Sequence, residues 1–162
     1  MGISLSVYSI SDVEIKSLAE DPARLIEFTR SSADACFLAD FWDGIHFLMT
    51  DGLKNQSLPC GAIKVGDVTF RKGSEPAHAI LSDTAREFAR EIARLTDATL
   101  RKRFDMDAMV KAKIYPGRTW LFSEYSEQSY QETMFYFGRL RQVAKLASDG
   151  GKGLLFERYE DL

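Results

Sequence analysis

Phe41-Trp42-Asp43-Gly44-Ile45-His46-Phe47-Leu48-Met49-Thr50-Asp51-Gly52 is the stretch on which the fold turns. Leu38, Phe41, Trp42, Ile45, Leu48 and Met49 recur at i, i+3, i+4 and i+7. That spacing predicts a helix from Ala33 to Thr50 with one buried face. Gly44 lies inside it, where glycine costs about 1 kcal/mol against alanine, so a neighbour is expected to pack closely there. Asp51-Gly52 ends the helix, the glycine suiting a left-handed cap. We read this as the central helix against which the rest of the chain packs.

On the N-terminal side, Ile3, Leu5 and Val7 alternate with Ser4, Ser6 and Tyr8, the period of a strand. The same residues follow a loose Met-Gly-x-x-x-Ser acylation pattern, but the alternation favours a strand. No basic region followed by a long apolar segment is present, so no secretory signal is expected. Ser11-Asp12-Val13-Glu14 has the form of a capping box, opening a short helix with Ile15, Leu18 and Ala19 inward. Asp21-Pro22 restarts the helix, because proline at the first helical position loses no needed N–H. Leu25, Ile26 and Phe28 are its expected packing residues.

On the C-terminal side, Ile63-Lys64-Val65, Gly66-Asp67 and Val68-Thr69-Phe70 read as a hairpin with a two-residue turn. Lys72-Gly73-Ser74-Glu75-Pro76 reads as a loop, and His78 to Leu81 as a short strand. Ser82-Asp83-Thr84 is the expected cap of a helix to Leu95 carrying Ala85, Phe88, Ala89, Ile92 and Leu95 on one face. Shorter helices follow at Asp97–Arg103 and Asp105–Lys111. Tyr115 precedes proline and must leave helical angles. A long helix from Glu127 to Ser148 buries Tyr130, Met134, Phe137, Leu140, Ala144 and Ala147. Leu154 to Tyr159 is a last strand, expected beside the first. The order predicts an α+β domain over residues 1–162: a small mixed sheet of N-terminal strand, central hairpin and C-terminal strand, packed against several helices.

With 162 residues, 45% hydrophobic and 28% charged, the chain has enough apolar mass for one core without staples. A net charge of -3 argues against a dedicated nucleic-acid binder. No apolar run approaches the roughly 18 residues of a membrane span. Cys36 and Cys60 have no C-x-x-C spacing and read as free thiols of a reducing cytoplasm.

Asp43, His46 and Thr50 fall at i, i+3 and i+7 and share a helix face. An aspartate there can fix the tautomer of an imidazole for acid–base work. The competing reading is a histidine hydrogen-bonded at the edge of a core. His46 and His78 are the two histidines, with no H-E-x-x-H, so no metal or cofactor is expected. Asp149-Gly150-Gly151-Lys152-Gly153 follows a helix and lacks phosphate-loop spacing. G-x-S-x-G is absent. Arg86, Arg90 and Arg94 form a row interleaved with Glu87 and Glu91, the pattern of a solvated face. Tyr115, Trp120, Phe122 and Tyr125 cluster around the Pro116 turn, either as core closure or as binding anchors.

The chain resembles the YfbM-like family of small bacterial proteins of unknown function. Four segments carry the resemblance: a strand opening at Met1-Gly2; the run Trp42…Ile45-His46-Phe47-Leu48-Met49-Thr50, where the family shows W-H-x-L-H-x-L-L-T-G; Phe104-Asp105…Met109…Ile114-Tyr115-Pro116 followed by Trp120; and an aromatic final helix with a glycine turn and closing strand. Asp43 stands where the family often has its first histidine. The resemblance implies a mixed α+β fold and a cytoplasmic location, and no reaction.

Two functions remain open on the residues. One is a non-catalytic protein-binding domain, foremost an immunity protein or inhibitor of a bacterial toxin, an association by class. The other is a small-ligand or enzymatic domain with a pocket around Trp42, His46 and Tyr115, drawing on Asp43 and Trp120. Thr50 and His78 complete the candidate site residues. A protein partner is expected and the oligomeric state is left open.

Overall fold

The computed structural model describes residues 2–32, 34–72 and 75–160. Met1, Ala33, Gly73 and Ser74, on which parts of the expectations above fall, lie outside the described residues. Five strands form one sheet: β1 (Ile3–Ile10), β2 (Ala35–Phe37), β3 (Val68–Lys72), β4 (Glu75–Ile80) and β5 (Gly153–Glu160). Their order is β2-β1-β5-β4-β3, and every pairing is antiparallel rather than mixed in direction. The first and last strands lie side by side in the middle, from Ile3 opposite Glu160 to Ile10 opposite Gly153.

The alternation of β1 gives the sheet two faces. Leu5 and Val7, with Ile80, Leu154 and Phe156, join the larger core. That core is closed by α3 (Trp42–Met49), α4 (Ser82–Arg94), α5 (Asp97–Arg103), α6 (Met106–Lys111) and α7 (Ser126–Asp149). On the opposite face Ile10, Phe70, Ala77, Ala79 and Leu155 meet Ile15 and Leu18 of α1 (Asp12–Glu20) and Leu25 of α2 (Leu25–Ser31). The α+β class stands, with the sheet sandwiched between two helical layers.

The central helix is shorter than its periodicity predicts. Residues 35–37 are an edge strand with Cys36 buried and both neighbours exposed, a period of two. Ala39 has φ 50°, a left-handed conformation that no helix can run through. The helix therefore begins at Trp42, and all eight of its residues are buried. Gly44 explains itself: a Cβ there would lie 2.9 Å from the Trp120 ring and 3.3 Å from Met109. Asp51, Gly52 and Leu53 all have positive φ, ending the helix where expected.

The central hairpin also differs. Ile63–Val65 lie in turns in which Lys64 and Val65 N–H groups bond back to the Gly61 carbonyl. The strand from Val68 pairs with β4, Val68 opposite Ala79 and Lys72 opposite Glu75. Gly66 is needed not for a hairpin turn but for close passage, since a Cβ there would sit 2.7 Å from the Ala79 carbonyl oxygen. Asp67 then accepts from the Leu81 N–H at 2.8 Å.

Helix starts are split between local and distant caps. Ser11 and Glu14 form the expected capping box. For α4 the expected local cap is replaced: the Ser82 N–H and hydroxyl donate to the Asp12 carboxylate at 2.8 and 2.6 Å. Ile26, expected to pack, is exposed.

Candidate functional site

The N-terminal end of α3 brings Trp42 and Asp43 against the Ile114–Trp120 turn. The Trp42 indole donates to the Ile3 carbonyl at 2.9 Å, and its ring stacks on Tyr115 with centroids 5.7 Å apart. Arg158 and Lys64 approach the same ring at 4.8 and 5.8 Å. Asp43 is 5% exposed. One carboxylate oxygen accepts from the Tyr115 N–H at 2.8 Å and the other faces the Lys64 ammonium at 2.7 Å. The Tyr115 hydroxyl in turn accepts from the Ile3 N–H at 2.6 Å. Strand, helix and turn are thus tied through one aromatic pair and one carboxylate.

The expected Asp43–His46 hydrogen bond does not form, because both carboxylate oxygens are taken. His46 is fully buried, and neither ring nitrogen has a partner at full hydrogen-bond geometry among the described residues, the Gln56 side chain making a long, weak contact with the ring. Burial drives its pKa down to about 4, and the Lys64 charge adds to the effect, opposed in part by Asp43 and the nearby Gln56 side chain. The imidazole is neutral at pH 7. Thr50 is not its helper: the hydroxyl donates to the His46 carbonyl at 2.8 Å and accepts from Leu53 N–H at 3.1 Å, finishing the helix.

The other sequence candidates separate. Trp120 is a core residue, 1% exposed, edge-on to Phe41 and Phe104 and seated on Gly44. His78 belongs to β4, where Nε2 lies 2.7 Å from the Ala62 carbonyl and the ring stacks on Phe156 at 4.9 Å. Burial lowers its pKa to about 4 as well. The Pro116 aromatic cluster divides: Tyr115 and Trp120 face inward, while Phe122 and Tyr125 are each 55% exposed beside Leu121 at 57%. Phe122 and Tyr125 meet edge-on and wall a surface cavity of about 320 Å³ with Arg118, Gln128 and Glu132.

Lys64 and Arg158 escaped sequence reading. Lys64 lies in the segment with the weakest periodicity. Arg158 had a usable signal: it follows Leu154 and Phe156 at a period of two, placing a cation on the core face of a strand. The arginine row is a solvated face, with Arg86 paired to Asp83 and Arg94 to Glu91. Among the described residues no three His, Cys, Asp or Glu side chains cluster as metal ligands, and no helix is long and apolar enough to cross a membrane.

The model of a domain of unknown function, DUF1877, matches residues 1–157. Among solved structures, the crystal structure of YfbM from Escherichia coli, a protein of unknown function, superposes with a TM-score of 0.76. The match covers 96% of this chain and 99% of that one at 18% identity, a likeness of fold. No curated protein matches.

Proposed function

The chain belongs to the DUF1877 family, the YfbM-like group that its Trp42–Thr50 and Ile114-Tyr115-Pro116 segments resemble, and on that footing we propose that it is a non-catalytic protein-binding domain, foremost an immunity protein or inhibitor that neutralises a bacterial toxin. The carrying observation is the exposed shelf of Leu121, Phe122 and Tyr125. Aromatic side chains that offer large contact area at little conformational cost are favoured interface anchors. Support also comes from the Asp43 carboxylate, held by Tyr115 and Lys64 rather than poised beside His46. The compartment in this reading is the reducing cytoplasm, consistent with two free thiols in Cys36 and Cys60.

The test is titration calorimetry of the full chain against the product of the adjacent open reading frame. Nanomolar binding is expected, weakened at least tenfold by Phe122→Ser with Tyr125→Ser. Absence of binding to any neighbouring product sinks the immunity reading.

One observation favours a second reading, a small-ligand or enzymatic pocket around Trp42, His46 and Tyr115: the buried His46 imidazole, whose hydrogen bonding is left incomplete beside a long Gln56 contact. A buried polar atom without a partner costs about 1–3 kcal/mol, which a ligand accepting and donating at the ring would recover. Thermal-shift screening of a metabolite panel against the chain and His46→Leu tests it. A hit that stabilises the chain and loses its effect in the variant supports the pocket.

A further inference from the structure

The edge strand β2 and the helix α7 border an open groove. In the β1–β2 ladder the Asp34 carbonyl accepts from Ser9 N–H and the Leu38 N–H donates to the Leu5 carbonyl. Antiparallel pairing alternates, so Cys36 also faces β1 while the N–H and C=O of Ala35 and Phe37 turn outward. Strand β2 ends the sheet, and both outward-facing residues are exposed. On one side of this edge Phe37 is 43% exposed and stacks on Tyr159 at 6.2 Å. On the other lies a cavity of about 210 Å³ between Cys36 and the α7 residues Arg139, Gln142, Val143 and Leu146. The Arg139 guanidinium lies over the exposed Phe135 ring at 4.9 Å, and no carboxylate among the described residues pairs with it.

We infer that this edge receives an extended segment of a protein partner by strand addition, the segment carrying an acidic side chain that meets Arg139 between apolar residues. This rests on the protein-binding reading and adds a surface and a mode to it. Successive side chains of an added strand point to opposite faces. Alternate residues therefore fall against Phe37 and into the α7 groove. The outward amides of Ala35 and Phe37 supply the main-chain bonds. Because β2 spans three residues, the side-chain pockets must provide much of the affinity. Asp34 also lines the cavity, so a second acid beside it is disfavoured, and this sets the register.

The probe is a library of random octapeptides displayed on phage, selected on the full chain and resynthesised. Enriched peptides are expected to share one acidic residue with apolar residues two positions away. They are expected to slow hydrogen exchange at the Ala35 and Phe37 amides. Ala35→Pro removes an outward N–H and no donor of the β1–β2 ladder, and is expected to weaken binding at least tenfold, as is Arg139→Gln. Arg86→Gln, on a distant ion-paired face, is expected to bind unchanged. Each variant is first matched to the parent by circular dichroism and melting. If Ala35→Pro fails to fold, Arg139→Gln and the exchange pattern decide alone. No enrichment, or peptides that bind Ala35→Pro and Arg139→Gln at full strength, overturns the inference. A neighbouring gene product that binds Ala35→Pro as tightly as the parent also overturns it, while leaving the partner-binding reading standing. Edge-dependent peptides together with no neighbouring partner support the edge and sink the immunity reading.

Discussion

At Gly44 two effects oppose each other. Alanine would gain about 1 kcal/mol of helix propensity. It would also push a methyl to 2.9 Å from the Trp120 ring, which is held edge-on by Phe41 and Phe104 and cannot step aside cheaply. Overpacking of this kind costs about 1–3 kcal/mol, so Gly44→Ala is expected to lower stability by roughly 1–2 kcal/mol in urea unfolding. Combining it with Trp120→Phe is expected to recover part of the loss, and strictly additive losses would show that the contact is not the cause. This much was legible in the sequence, since glycine in a strongly apolar helix called for a close neighbour. The partners of Asp43 were not legible. An i, i+3 spacing brings Asp43 and His46 onto one face, but the stronger offers to the carboxylate, an amide N–H from Tyr115 and an ammonium from Lys64, arrive from 72 and 21 residues away in the chain.

Among the elements, α4 depends on α1 for its start. Its first N–H and Ser82 hydroxyl are satisfied by Asp12 from 70 residues earlier. Asp12→Ala is expected to cost about 1–2 kcal/mol, the scale of a lost N-cap, and to speed hydrogen exchange at the start of α4. Unchanged exchange there would show that water replaces the carboxylate without loss. The same distance explains what sequence reading could and could not recover. Elements whose period is set locally, such as β1, α1, α4, α7 and β5, lie within a few residues of where their pattern puts them. The edge strand β2 is hidden in a helical pattern, because Ala35–Phe37 is too short for its alternation to stand out beside the apolar spacing that follows. The central hairpin lies further along the chain than its composition suggests, because Gly66-Asp67 has the residues of a turn while its glycine is required by close contact with β4.

Across the whole molecule, His46 and His78 make stability depend on acidity. Each has a pKa of about 4 in the fold, against about 6.5 in the unfolded chain. Between those values the unfolded chain binds more protons, so stability rises with pH there, is complete above about pH 7, and falls on acidification. The loss approaches about 3 kcal/mol per histidine below pH 4. His46→Leu is expected to equal or exceed the parent at pH 7, since it removes a buried imidazole whose hydrogen bonding is incomplete, and to flatten the slope between pH 6.5 and 4.5. An unchanged slope would mean that His46 opens to water before it titrates. A different consequence follows from the central ladder of β1 and β5. Ile3 finds its partner only at Glu160, so during synthesis every residue between them must be made before the middle of the sheet can close. Until β5 is made, Leu5 and Val7 lack the Leu154 and Phe156 side of the core they share. Such long-range pairing slows folding and lengthens the exposure of apolar strands to aggregation.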